Sequence, residues 1–123
     1  MSIDWSRYPN FSRGEFTCRC GCGRNEMRPE FLERLQALRS TYGKPMIITS
    51  GYRCPQHPKE AQKTHPGMHT TGLAADVGIS GAEAVDVLRL ALDAGFRGIG
   101  VQQKGNGRFL HFDLRSIPAI WSY

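Results

Sequence analysis

Between two apolar, β-rich runs, MIITS (46–50) and LAADVGI (73–79), the chain spends 22 residues on GYRCPQHPKEAQKTHPGMHTTG, a polar stretch containing three prolines. Connections of that length inside a compact domain are uncommon and are usually functional or disordered. A chain of 123 residues has room for one core and no second. The core must therefore come from the segments on either side of the polar stretch.

Upstream, RPEFLERLQALRSTYGKP (28–45) predicts a helix. Pro29 suits its opening turn, Phe31, Leu32, Leu35, Leu38 and Tyr42 form one apolar stripe, and Gly43 with Pro45 ends it. Downstream, Ser80 and Glu83 read as a capping box opening a second helix over GAEAVDVLRLALDAGF (81–96), closed by Gly95. GIGVQ (98–102) and RFLHFDLR (108–115) flank QKGNG, whose Asn-Gly pair predicts adjacent antiparallel strands. The tail SIPAIWSY offers Ile117, Ile120 and Trp121 to cover the core. This order of elements indicates one α+β domain over residues 1–123, with helices packed on a mostly antiparallel sheet. No glycine-rich phosphate loop follows a strand at its start, which disfavours a doubly wound nucleotide fold.

Sixteen Lys and Arg against eleven Asp and Glu give a formal charge of +5, so anionic partners are attracted at long range. The cations are scattered rather than clustered, and a specific nucleic-acid groove is not expected. No window holds the roughly 18 consecutive apolar residues of a membrane span, and MSIDWSRYPNFSRGEF lacks the apolar core of a secretory signal. The expectation is a soluble monomer made in the cytoplasm.

CRCGC supplies Cys18, Cys20 and Cys22, and Cys54 lies far downstream. A C-x-C-x-C run lacks the C-x-x-C spacing usual in structural zinc sites. A four-thiolate zinc site completed by Cys54, a disulfide and reduced thiols all remain open. Cytoplasmic synthesis favours reduced thiols.

Three potential metal ligands fall on or beside the predicted strands: His69 at the end of the polar stretch, Asp76 in LAADVGI and His111 in RFLHFDLR. Two imidazoles and a carboxylate, with a fourth position for water, make a catalytic rather than a closed zinc set. A turn at Gly72 followed by extended chain would bring His69 and Asp76 to one pole. The alternative is a hydrogen-bonded structural histidine on a strand, with Asp76 as a buried polar anchor.

SGYR (50–53), HTTGLAAD (69–76) and HFDLR (111–115) resemble the three signature blocks of the zinc D-alanyl-D-alanine carboxypeptidase family, which includes D,D-dipeptidases and phage L-alanyl-D-glutamate endopeptidases. His69, Gly72, Ala74 and Asp76 meet the pattern His-x-x-Gly-x-Ala-x-Asp, and FSRGEFTCRCGCG and PAIWSY are similar to the short phage and bacterial members. The resemblance implies one catalytic Zn2+ held by His69, Asp76 and His111. It also implies that Arg53 faces the substrate, where its planar fork would bind a carboxylate or an oxyanion. Arg53 paired to an acidic neighbour is the alternative.

Two positions depart from the family pattern. Gly67 stands where many members carry serine, and Arg108 where many carry the catalytic carboxylate. Alternation along the strand puts His111, Asp113 and Arg115 on one face, so Asp113 is the expected general base. Its alternative role is to pair with Arg115 or to orient a histidine. Gln56 and Gln62 are expected to line the cleft, and His57 and His65 to lie at the surface of the polar stretch. The resulting expectation is a zinc peptidase acting on peptidoglycan stem peptides, synthesised without a signal peptide, reaching the cell wall and phage-encoded or phage-derived. Its rivals are a non-catalytic zinc-containing wall-binding module and, more distantly, a nucleic-acid-binding protein.

Overall fold

The computed structural model describes residues 2–64 and 67–123. His65, expected at the surface, lies outside the described residues. The α-helices are α1 (Arg13–Phe16), α2 (Pro29–Tyr42), α3 (Pro58–Ala61) and α4 (Gly81–Asp93). The strands are β1 (Ile47–Ser50), β2 (Ala74–Gly78), β3 (Gly98–Gln102), β4 (Phe109–Asp113) and β5 (Ala119–Ser122). They form one sheet in the order β1-β2-β4-β3-β5, antiparallel except for the parallel β3/β5 pair. The α+β expectation holds, and no helix among the described residues is long and apolar enough to cross a membrane.

Strand alternation divides the sheet into two faces. Ala75 and Val77 of β2, Ile99 of β3, and Leu110 and Phe112 of β4 are all buried in the core. Helix α2 adds Phe31, Leu32, Leu35 and Leu38, and α4 adds Ala84, Val87 and Ala91. Phe96 links helix to sheet, meeting Phe31 edge-on at 5.4 Å and stacking on Phe112 at 5.6 Å. A fully buried phenylalanine of this kind contributes about 1.5–3 kcal/mol. Asp76, His111 and Asp113 occupy the alternate positions and so emerge on the other face.

The structure departs from the sequence expectations in several places. Ser80 is the N-cap of α4, but its side chain makes no capping bond. The Glu83 carboxylate instead accepts a hydrogen bond from Tyr42 Oη at 3.0 Å and pairs with Lys44 at 3.5 Å, joining α4 to the end of α2. The polar stretch is not a bare loop, since it contains α3 and a 3-10 turn over Met68–Thr71. The tail does not cover the core with isoleucines, because Ile117 and Ile120 are 78% and 72% exposed. It adds β5 to the edge of β3 and turns Trp121 toward His111.

Candidate metal centre

Register brings the candidate ligands together. Asp76 on β2 is paired directly with His111 on β4, and Ser50 on β1 pairs with Asp76 from the other side. His69 arrives from the 3-10 turn, which ends at Gly72 with φ 77°. A Cβ on Gly72 would lie 2.0 Å from the Glu26 carbonyl oxygen, and the Gly72 carbonyl accepts from Arg28 N–H at 3.0 Å. Only glycine combines that left-handed backbone with so close an approach. The turn directing His69 therefore depends on it.

The donor atoms are His69 Nε2, His111 Nδ1 and Asp76 Oδ1. His111 Nδ1 lies 3.0 Å from Asp76 Oδ1 and 3.2 Å from His69 Nε2, and His69 Nε2 lies 3.3 Å from Asp76 Oδ1. Ligands about 2.0–2.1 Å from a tetrahedral zinc stand about 3.3 Å apart, so the triangle has the size of a zinc site. The outer ring nitrogens agree. His69 Nδ1 faces the Gly51 carbonyl at 2.8 Å and His111 Nε2 faces Asp113 Oδ2 at 2.7 Å. Both partners are acceptors, so the outer nitrogens carry protons and the inner ones turn lone pairs toward Asp76. All three residues are buried. Converging lone pairs in a buried site call for a cation.

In the metal-free chain a proton can serve as that cation. Burial opposes the charged form of His111, but the Asp113 and Asp76 carboxylates on its two nitrogens outweigh it and raise its pKa. Burial likewise pushes Asp76 up, yet hydrogen bonds with His111 and His69 hold it well below the usual carboxylate range.

Arg53 fulfils its alternative role and still borders the cleft. Only 8% exposed, it donates from Nη2 to Asp76 Oδ2 at 3.3 Å, from Nη1 to Glu60 Oε2 at 3.2 Å and from Nε to Ser50 Oγ at 3.2 Å. Glu60, which the sequence reading missed, is buried and also accepts from Gly67 N–H at 2.9 Å and Lys63 Nζ at 3.1 Å. Burial raises its carboxyl pKa, but these donors outweigh it and keep the group below its ordinary value. In sequence PKEA belongs to the polar stretch, and nothing local signals that Glu60 faces Arg53. Gly67, in place of the family's serine, contributes its backbone N–H to this network.

Asp113 stands behind the His111 ring. It is 0% exposed and lies on the nitrogen of His111 that points away from the ligand triangle. Arg115 binds both its oxygens, Nε reaching Oδ1 at 2.9 Å and Nη2 reaching Oδ2 at 2.6 Å. Burial acts to raise its pKa, but His111 and Arg115 hold it well below the usual range. In this arrangement Asp113 has the geometry of its alternative role, pairing with Arg115 and orienting the His111 ring. A Cβ on Gly98, opposite Asp113 on β3, would meet this carboxylate at 2.0 Å, so Gly98 makes room for it. Arg115 in turn lies 4.5 Å over the Trp121 ring, and Trp121 lies 5.0 Å from His111. The tail therefore closes a ring of contacts around His111.

The cluster lies in a cavity of about 790 Å3 whose wall, among the described residues, carries Arg19, Arg53, Lys59, Lys63 and Arg115 but a single carboxylate, Asp76. Gln62 lines it as expected. Gln56 is exposed and outside the wall, because the turn before α3 directs it to solvent. His57 also lines the cavity rather than lying free at the surface, and burial followed by the charge of Arg53 lowers its pKa. Arg108 is exposed on a separate groove beside Gly78 and Ile79.

The family model for Peptidase M15 matches residues 9–113, most of the chain and all of the ligand set. The chain belongs to the M15 family. No curated protein matches closely enough to be named as a relative. M15 members are zinc metallopeptidases, and the donor triangle suits that metal in ligand type, spacing and tautomer.

Proposed function

We propose that this M15 peptidase hydrolyses peptidoglycan stem peptides at a bond next to a D-amino acid, as a D,D-carboxypeptidase or an L-alanyl-D-glutamate endopeptidase. The observation that carries the reading is a zinc-sized triangle of lone pairs opening into a cationic cavity. Stem peptides carry several carboxylates, and among the described residues the five basic side chains of the wall outnumber the three carboxylates paired with them, Asp76, Glu60 and Asp113, by two, an excess that attracts such a substrate. His69, Asp76 and His111 would hold the ion. When bound, zinc supplies Lewis acidity that polarises a carbonyl oxygen and acidifies water.

The chain's own residues supply the rest. Asp113 holds the His111 ring in the tautomer that leaves Nδ1 unprotonated, and Gly51 does the same for His69. Arg53 fixes the second oxygen of Asp76, leaving one proton on each terminal nitrogen to meet a substrate carboxylate or a developing oxyanion. Lys59, Lys63 and Arg19 steer and orient the anionic peptide. The protein acts as a monomer on the cell wall, in a phage-derived lytic role.

A second reading has one observation in its favour: among the described residues lining the cavity, no carboxylate besides Asp76 is available to take a proton. A zinc-containing wall-binding module would have that property. Purified peptidoglycan is digested with and without a chelator, and the muropeptides are analysed by mass spectrometry. Chelator-sensitive release of peptides cut beside a D-residue supports hydrolysis. Wall binding without any new fragment supports the module instead.

A further inference from the structure

The geometry points to a second zinc site, structural and sharing no ligand with the candidate peptidase centre, formed by the four thiolates of Cys18, Cys20, Cys22 and Cys54. The four sulfurs all lie within 4.8 Å of one another. Cys20 Sγ is 3.4 Å from Cys18 Sγ and 3.5 Å from Cys54 Sγ, and all four cysteines are free. Thiolates about 2.3 Å from a tetrahedral zinc stand about 3.8 Å apart. The observed spacing matches that cage and is much longer than a sulfur–sulfur bond of about 2.05 Å.

The C-x-C-x-C run lacks the C-x-x-C spacing usual in structural zinc sites, and in an extended chain residues i and i+2 would stand about 6.6 Å apart, too far to share one ion. The backbone removes the objection. Residues 19–22 are turns, Gly21 and Gly23 adopt φ 94° and 75°, and Cys18 N–H bonds the Arg24 carbonyl at 2.8 Å. The segment is thereby folded into a closed loop whose three sulfurs face one point. Cys54 completes the set from a segment 34 residues beyond Cys20. Two backbone amides already donate to the sulfurs, Cys54 N–H to Cys18 at 3.3 Å and Arg24 N–H to Cys22 at 3.4 Å. Such bonds stabilise thiolate over thiol, the form that a metal requires. Four soft sulfur ligands in a closed tetrahedron, with no position left for substrate, select zinc in a structural role.

The placement says what the site would hold. Residues 51–54 serve both clusters: the Gly51 carbonyl orients His69, Arg53 grips Asp76, and Cys54 joins the thiolates. The same stretch lies against α1, with Tyr52 N–H bonded to the Phe16 carbonyl at 2.9 Å. Arg19, between two of the thiolates, donates to the Ile48 carbonyl at 3.1 Å and lines the substrate cavity. A bound ion would lock the loop carrying Arg19 to the segment carrying Arg53.

The test is metal content of the full chain, purified without added chelator. Two zinc ions per chain are expected in the wild type and one in His69→Ala/His111→Ala. The ion that remains should be displaced by a mercurial in proportion to the four thiols. Cys20→Ser/Cys22→Ser should lose one zinc and melt at a lower temperature. Should that variant fail to fold, cobalt loaded into His69→Ala/His111→Ala keeps the test open, since all four thiols are intact. A strong thiolate-to-cobalt charge-transfer band is expected in the near ultraviolet. A wild type with one zinc and a His69→Ala/His111→Ala protein with none would overturn the proposal. So would iron in place of zinc, a disulfide detected by mass, or four native thiols reacting as fast as free cysteine. None of these readouts depends on peptidoglycan cleavage, so the thiolate site and the peptidase reading can fail separately.

Discussion

The Nε2 of His111 stands 2.7 Å from Oδ2 of Asp113, while Nδ1 of the same ring faces Asp76 at 3.0 Å. One imidazole thus lies between a carboxylate that would share its metal and one that holds its tautomer. Asp113→Asn removes the charge behind the ring and should weaken zinc binding by roughly 10- to 100-fold. Competition against a chromophoric chelator measures this. Unchanged zinc affinity with a large loss of turnover would instead return Asp113 to the role of proton acceptor.

Room for that carboxylate comes from the neighbouring strand. Gly98→Ala would place a methyl 2.0 Å from Asp113 Oδ1, and Asp113 is pinned by His111 and Arg115, so relief requires the strands to shift. A loss of about 1–3 kcal/mol in denaturant-unfolding stability is expected, together with weaker zinc retention. Gly14→Ala, where a Cβ meets nothing within 4 Å, is the control and should change zinc retention little.

The pieces that proved legible in the sequence share a property: their signal is local. Helix α2 shows its stripe and its proline start, β2 and β4 show their ligands within apolar runs, and the Asn106-Gly107 pair marks the turn between β3 and β4. What escaped depends on chain reversal. Glu60 meets Arg53 only because α3 folds back over residues 50–53, and Trp121 meets His111 only because β5 pairs in parallel with β3. Asp113 was assigned to the right strand face, but alternation gives a face and not which nitrogen of His111 the carboxylate will meet. The same limit applies to CRCGC, whose spacing is unfavourable in extended chain and becomes favourable through two turns.

Arg53 bridges Asp76, Glu60 and Ser50 with three different nitrogens. A lysine ammonium keeps the charge but cannot reproduce that fork. Arg53→Lys should therefore lower both kcat/KM on a stem peptide and the denaturant midpoint, the second because Glu60 remains buried with fewer donors. Wild-type stability with lost turnover would assign Arg53 to substrate contact alone. Wild-type values of both would make it peripheral.

The last prediction concerns pH and the metal-free protein. Asp113 and Asp76 raise the folded-state pKa of His111 above its ordinary value near 6.5, against the opposing effect of burial. A histidine raised on folding stabilises the native state fully below its unfolded pKa, and that stabilisation is lost as pH rises through the folded value. Asp76 and Asp113 themselves stay ionised throughout this range, since both are held far below it. His57 acts with the opposite sign: its pKa is lowered on folding, so it withdraws stability as pH falls below about 6.5. Cys18 also opposes His111: burial acts to raise its thiol, but hydrogen bonds from the Cys54 and Cys20 amides and the neighbouring sulfurs bring it down to about 7, so its ionisation adds stability as pH rises past that value. The His57→Gln/Cys18→Ser background removes both contributions. In it, the chelator-treated protein should melt at a lower temperature as pH rises from 6.5 through the raised His111 value. The zinc-loaded protein should show the reverse, because the ion takes the proton's place at Nδ1 and binds more tightly as protons leave its ligands. Thermal scans of both forms across this range give the two slopes. Parallel slopes in the two forms would show that the proton and the metal do not compete for His111.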